Sequence, residues 1–522
     1  MISARAIPLL AALLGSCSTL PQASPQADLL IRGGTIYPGG GEPFAGDVAV
    51  KGDRIVAVAP HLTITARRTI DARGMIVAPG FVDPHSHMEA WLTADDSRRR
   101  LIEPFLMQGV TTTFIGNDGG GPLDVGRLLA SPAAKPVGIN FAAYTGFGSI
   151  RERVVGQERR EPTPDELLQE RALVRQAMCE GAIGLSTGLF YAPQSFSRTD
   201  EVVALASVAG EMGGTYDTHL RDESNYTVGL AAAVDEAIAV AREGRIPVHI
   251  SHIKALGVDL HGMAPSIVDK IDQARAEGLD VTAGQYPWEA SGTSLVASLV
   301  PLWAQDGGRK AMLARFDDPA LAERLRSEMA ENMRRRGGAP SMLIVEGRWK
   351  NRRLDAVARD LGLDAVAAGM AVIREADPAT ISFNMAEDDI ATFMRRPWVM
   401  TDSDASTAHP RVYGSFARKY AVYVKERRIL SMREFIDRSS ALTADWFGLK
   451  DRGHVRSGAF ADLVVFDPAR YAARATYEQP GLTAVGVQTV LVNGELAVDG
   501  GRLTGTANGR ALPHTPRQGL CQ

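Results

Sequence analysis

The sequence predicts an α/β protein: a (β/α)8 barrel, a small β-sandwich domain built from both chain ends, and an insertion within the barrel. Three observations lead there. From Val77 to about Leu449, short apolar runs alternate with helical patterns, the rhythm of repeated βα units and a parallel sheet. Each cluster of chemistry-bearing side chains follows one of those runs, on the C-terminal face where such barrels carry their sites. Outside that region the texture changes to short alternating strands broken by Gly-rich turns.

Taken in chain order, Met1 to Arg5 carry a positive charge, Ala6 to Leu14 are almost wholly apolar, and Leu14-Gly15-Ser16-Cys17 follows. The apolar run is too short for a mature membrane span. It is similar to a bacterial lipoprotein signal (1–16), which implies cleavage before Cys17, lipidation of its thiol and export. Residues 17–26, rich in Pro, Ser and Gln, then read as a tether between lipid and fold. Residues 27–78 form the first part of the β domain, with runs such as Asp47-Val48-Ala49-Val50 and Arg54-Ile55-Val56-Ala57-Val58. Its second part, with the C-terminal tail, spans 451–522 and includes Leu463 to Phe466 and Thr489 to Gly494.

The barrel occupies 79–450. Its strands are expected at Val110 to Ile115, Ala182 to Ser186, Gly214 to Thr218, Pro247 to Ser251, Asp280 to Ala283 and Trp398 to Thr401. One helix is announced by Thr163 as N-cap, Pro164 in the first turn and Glu166 three residues after the cap. Another is expected from about Tyr226 to Arg242. Residues 294–377 break the βα rhythm and read as an inserted subdomain or lid.

Bulk properties narrow the function. A hydrophobic content of 45% over 522 residues supports a large core. A formal charge of −4 and a pI near 6.2 leave no basic footprint for nucleic acid. Beyond Cys17 only Cys179 and Cys521 remain, so no disulfide framework is expected: Cys179 reads as a small buried apolar residue and Cys521 as part of a frayed end.

The strongest local signal is Pro79-Gly80-Phe81-Val82-Asp83-Pro84-His85-Ser86-His87. Two imidazoles two residues apart on a strand point to the same side, and at a barrel mouth they suit a divalent ion. Asp118 follows the second strand within Gly116-Asn117-Asp118-Gly119-Gly120-Gly121. His219 ends the strand that begins at Gly214. His252 shares the strand face of Ile250 and Val248, while His249 falls on the other and reads as structural. Asp404 follows a late strand, ahead of His409-Pro410-Arg411. Four histidines and two carboxylates at strand ends can seat one or two divalent ions, whose chemistry is activation of water for hydrolysis.

With these residues in hand the chain resembles the D-aminoacylase (N-acyl-D-amino-acid deacylase) family of the amidohydrolase superfamily. The likeness rests on Pro79 to His87, Gly184 to Pro193, Thr218 to Glu223, Ser251 to Lys254, Gln285-Tyr286-Pro287, Ser403-Asp404, His409 to Arg411 and Phe447 to Pro468. The resemblance implies a metal-dependent hydrolase barrel in which His85 and His87 hold one metal with Asp404, and His219 and His252 the other. It further implies that Asp404 shuttles a proton, and that Lys254, Tyr191 and Tyr286 bind the carboxylate of an N-acyl-D-amino acid. The chain departs from the family where Asp118 stands in place of a cysteine ligand, an exchange that moves metal preference from zinc towards manganese or cobalt. Hydantoinase-type relatives use a carboxylated lysine on the fourth strand, and Gly181 to Gly188 contains none. Two other functions compete: a dipeptidase or carboxypeptidase for peptides ending in a D-residue, and a non-catalytic envelope lipoprotein. The sequence offers no membrane contact except the N-terminal lipid.

Overall fold

The computed structural model describes residues 26–406 and 408–521. The signal, Cys17 and the tether as far as residue 25 lie outside these residues.

A six-stranded and a three-stranded parallel sheet make the barrel wall. Its staves are, in order, Phe81–Asp83, Val110–Ile115, Asn140–Ala143 with Thr145–Gly146, Gly184–Gly188, Thr215–His219, Val248–Ile250, Val281–Gln285 and Val399–Thr401. The third stave is interrupted at Tyr144. The ring closes where Ser86 bridges Ala405, with His87 N donating to Ala405 O and Asp404 N to His85 O. Closure thus brings the His-x-His segment directly against the Asp404 segment. Strand residues are buried on both faces, as expected when helices cover a parallel sheet.

Most strand expectations hold to within one or two residues, but the third stave has no counterpart among them. The Thr163 helix forms as Pro164–Cys179, with Thr163 and Glu166 making a reciprocal capping box. The helix expected from Tyr226 instead runs Leu230–Gly244. Asp222 holds the preceding loop out of helix by accepting from the backbone N–H of Thr227 and Gly229, and Gly229 takes φ +83°.

The terminal β domain is a nine-stranded mixed sheet that draws strands from both ends of the chain. Strand Ala27–Ile36 bends at a bulge between Ile31 and Gly34, so its first half pairs with Ala66–Asp71 and its second with Ile76–Pro79. That bend folds the sheet over a core including Ile31, Val48, Ile55, Leu463 and Leu491.

The insertion is larger than 294–377. It is framed by antiparallel strands Ala290–Ser294 and Phe383–Ala379, paired residue for residue, and has a core of its own around Leu299, Leu325, Met329, Ile344 and Val372.

The cysteine expectation is corrected. Cys179 lies at the surface and forms a disulfide with Cys521, 342 residues away. Proximity arises because the tail passes beneath the barrel, with Leu512 N donating to Phe141 O and His514 N to Gly181 O. Cys521 is therefore tied down rather than frayed.

Candidate metal centre

Asp83, fully buried at the end of the first stave, accepts from His85 N, Ser403 N and Ser403 Oγ. One carboxylate thereby fixes the loops that carry His85, His87 and Asp404. Asp118 sits on the glycine turn after the second stave with φ +56°; Asp404 has φ +45° and His252 φ +33°. Non-glycine residues rarely adopt such backbone, at a cost of about 1–3 kcal/mol each, and keep it where a site demands it. The turn around Asp118 also needs close packing: a Cβ on Gly188 would lie 2.4 Å from Asp118 O. His252 stands two residues beyond its strand on left-handed backbone, so its aim comes from that turn as well as from strand alternation.

Asp118 is the centre of the cluster. Its Oδ1 lies 3.5 Å from both His85 Nε2 and His252 Nε2, and its Oδ2 lies 3.4 Å from His87 Nε2 and 3.8 Å from His219 Nδ1. Asp404 Oδ1 is 3.8 Å from His85 Nε2 and 3.5 Å from His87 Nε2. The six side chains named from the sequence therefore converge, in sets that include His85, His87 and Asp404, and His85, Asp118 and His252. The histidine–carboxylate separations exceed ordinary hydrogen bonds, while His219 Nδ1 and His252 Nε2 lie 3.0 Å apart. Two donors about 2.0–2.1 Å from a tetrahedral ion stand ~3.3 Å apart, close to the observed values. Both ring nitrogens of His85 and Oδ1 of Asp118 are buried without any hydrogen-bond partner. A neutral imidazole keeps one lone pair, and the orphaned His85 Nε2 facing Asp118, together with Asp118 Oδ1, fits a divalent metal.

The electrostatics agree. Burial drives His85 well below its ordinary pKa, and His219 down to about 4, so both rings are in the neutral, ligating form. Burial opposes charge on His252 as well, yet Asp404, Glu223 and Asp118 push it up to about 10. These carboxylates demand positive charge, which protons or a metal can supply. Burial alone would raise Asp404, but the Arg411 charge, followed by those of the histidines, holds it well below the usual carboxylate range.

Two further residues complete the cluster, and the sequence reading gave neither a role. Glu223 Oε1 lies 3.1 Å from His252 Nδ1 and 2.5 Å from Lys254 Nζ, and its Oε2 is 3.7 Å from His219 Nε2. It faces the nitrogens that point away from Asp118, as an outer carboxylate orienting ligand imidazoles does. Its one signal was its place in the polar run Thr218 to Glu223 at a strand end. Arg411 donates to Asp404 Oδ2 at 2.6 Å and to Ser406 Oγ at 2.6 Å; its position two residues after His409 was the only hint.

Lys254 is buried and also lies 2.7 Å from His252 Nδ1. Tyr286 stands between cations, its ring 5.6 Å from Lys254 Nζ and 5.1 Å from the Arg411 guanidinium, with its hydroxyl unpartnered. Tyr191 Oη meets Thr293 Oγ1 of the insertion at 3.2 Å. All three line a cavity of about 410 Å³ that also includes His87, Asp118, His219, His252 and Asp404, roofed by insertion residues including Gly292, Thr380 and Ile381. His249 is elsewhere: it contacts Thr282 and packs on Trp446 and Phe447, the structural place expected for it.

Comparison with known proteins agrees with this geometry. Residues 68–498 match the family model described as "Amidohydrolase family". The chain is 32% identical to D-aminoacylase of Alcaligenes xylosoxydans xylosoxydans, over 94% of this chain and 98% of that protein. It is also 32% identical to the N-acyl-D-aspartate deacylase of that organism, over 95% and 97%. The structure of N-acyl-D-glutamate deacylase from Bordetella bronchiseptica, complexed with zinc and a phosphonate mimic of the tetrahedral intermediate, superposes with TM-score 0.79 at 29% identity, over 93% of this chain and 99% of that one.

Proposed function

The chain belongs to the amidohydrolase family, and from that premise we propose that it hydrolyses the amide bond of N-acyl-D-amino acids, releasing a carboxylate and a free D-amino acid. The observation that carries the reading is the convergence of His85, His87, Asp118, His219, His252 and Asp404 beneath one cavity in a chain aligned end to end with such deacylases.

His85, His87 and Asp404 would hold one divalent ion, and His219 and His252 a second, with Asp118 between them. The chemistry such an ion supplies when bound is Lewis acidity, which polarises a carbonyl and makes water acidic near neutral pH. Zinc is the first candidate; the hard Asp118 carboxylate favours manganese or cobalt more than a thiolate would. Arg411 occupies Asp404 Oδ2. Held in place by Arg411, the Asp404 carboxylate is the group that would take a proton from the attacking water and return it to the leaving amine. Glu223 fixes the ring orientation of His219 and His252. Lys254, Tyr191 and Tyr286 form the polar wall against which the substrate carboxylate is oriented.

We also propose that the enzyme is exported and held at the membrane by a lipid on Cys17, or is periplasmic. The N-terminal pattern supports export, and the Cys179–Cys521 disulfide suits an oxidising compartment.

The test is amine release from matched N-acetyl-D, N-acetyl-L and L-Xaa-D-Xaa panels by protein loaded separately with zinc, manganese or cobalt. Turnover confined to acyl-D substrates is expected. One feature favours the peptidase alternative: Glu346 lines the cavity, where its carboxylate suits the ammonium of an N-terminal aminoacyl group. Turnover confined to the peptide panel would replace the deacylase with that peptidase.

A further inference from the structure

A separate cavity of about 700 Å³ lies under the barrel floor, where Gly214, Thr215 and Pro247 lead into the fifth and sixth staves. It is at the opposite end of the barrel from His85, His252 and Asp404, which follow their strands. Its other walls are the segment from Trp446 to Lys450 and the C-terminal tail. Five basic side chains line it, Arg245, Lys450, Arg452, Arg510 and Arg517, and among the described residues no aspartate or glutamate does. Arg452 and Arg510 are paired with Asp462 and Asp53. Arg245, Lys450 and Arg517 are exposed, and among the described residues none of them has a carboxylate within 4.0 Å. The five are scattered over a chain of net charge −4, and only the fold gathers them.

Like charges in a concavity repel one another, and their field draws an anion. The arginine fork matches the oxygens of a phosphate. Half-buried Trp446 shares the cavity, and tryptophan favours the interface between membrane and water. The chain also enters the fold beside this cavity. Asp28, next to the first residue of the first strand, accepts from Gly52 N at 2.8 Å, and the following residue, Asp53, holds Arg510 at 2.8 Å. From a lipid on Cys17, the tether Ser18 to Pro25 can extend at most ~30 Å. An anchor there keeps the basic floor within reach of the bilayer. We propose that the floor cavity binds the phosphate headgroup of an anionic phospholipid, which sets the barrel floor on the membrane and turns the active-site mouth away from it. The choice of a membrane over a dissolved phosphate rests on the lipid-anchor reading.

The experiment is sedimentation with vesicles of phosphatidylcholine alone, or of phosphatidylcholine mixed with phosphatidylglycerol, at low salt. It uses the chain from residue 17 with Cys17→Ser, which carries no lipid and keeps every described residue. Binding is expected only with phosphatidylglycerol. Replacing Arg245, Lys450 and Arg517 together with Gln should weaken it by about a hundredfold, from the usual gain per basic residue at an anionic surface. Replacing the exposed insertion residues Lys310, Lys350 and Arg353 with Gln removes the same charge and should leave binding unchanged. Thermal midpoints report that each variant folds, and the single Lys450→Glu should weaken binding by about tenfold or more should the triple variant not fold. Equal binding to both vesicle types, or equal loss in the floor and insertion variants, would overturn the proposal. So would calorimetric binding of glycerol phosphate that depends on the floor cations without any binding to vesicles, which would place a dissolved phosphate in the cavity. Because the protein tested is unlipidated, absence of lipid from Cys17 in cells, read by mass spectrometry, would be a separate result against the anchor.

Discussion

Glu170 lies on the helix Pro164–Cys179 with no solvent exposure and neither carboxylate oxygen hydrogen-bonded. Nearby, Arg151 is already paired with Glu201. Burial first, and the Glu201 charge second, push Glu170 up to about 8 from an ordinary 4.5. The sign follows from proton counting. Between pH 4.5 and 8 the unfolded chain has released this proton and the folded chain retains it, so raising pH favours unfolding through that window. The full shift corresponds to at most ~5 kcal/mol at 1.36 kcal/mol per unit. Water penetration and local relaxation reduce such costs, and about 2 kcal/mol is the expected working value. Glu170→Gln mimics the protonated form without titrating. Its thermal midpoint should match wild type at pH 5 and exceed it by a few degrees at pH 8, read by scanning calorimetry at several pH values. Parallel wild-type and variant curves from pH 5 to 8 would refute the reasoning, because they would mean Glu170 titrates alike in folded and unfolded chains.

Other outcomes follow from the site and the tail. Replacing Arg411 with Met removes the charge that depresses Asp404, so the acid limb of kcat should move up by about 1–3 pH units; an unmoved limb would separate Asp404 from that limb. Asp118→Ala should lose bound metal, by elemental analysis, together with activity, and Asp118→Cys should recover metal with a stronger bias to zinc over manganese; full metal content in the alanine variant would contradict the ligand assignment. Cys521→Ser should destabilise the fold by about 2–4 kcal/mol, a central value for losing a disulfide. Dithiothreitol should lower the midpoint of wild type but not of that variant, and a reductant-insensitive wild type would show that the tail is held by other contacts.

The barrel and the side chains that converge at its mouth were legible because their signals are local. An apolar run followed by a polar cluster identifies a strand end, and Asp83 to His87 carries its geometry within five residues. The third stave escaped because Asn140-Phe141-Ala142-Ala143 has neither length nor β-branched residues. The insertion sheet escaped for a different reason. Ala290-Ser291-Gly292-Thr293-Ser294 is polar, and its partner strand lies far along the chain at Ala379–Phe383, so only long-range pairing makes it a strand. The disulfide was illegible because two cysteines 342 residues apart meet only through the path of the tail. Glu223 and Arg411 were visible as residues, but their roles lie in which charge each faces.

That distinction explains how the centre is assembled. Beside the converging histidines lie Asp83, Asp217 and Asp402, all fully buried. Asp83 accepts from His85 N, Asp217 from Ser251 Oγ and Asn117 Nδ2, and Asp402 from His252 N. Each therefore grips a loop that carries a ligand or its neighbour. Burial pushes Asp217 and Asp402 up to about 7, values at which a positive charge above them favours the ionised, more strongly accepting form. Cation binding and loop order would then reinforce each other: positive charge among the histidines would strengthen the acceptors that hold their loops, and those acceptors sustain the left-handed backbone at His252 and Asp404. The barrel supplies the rigid strand ends, and the buried carboxylates convert charge into position.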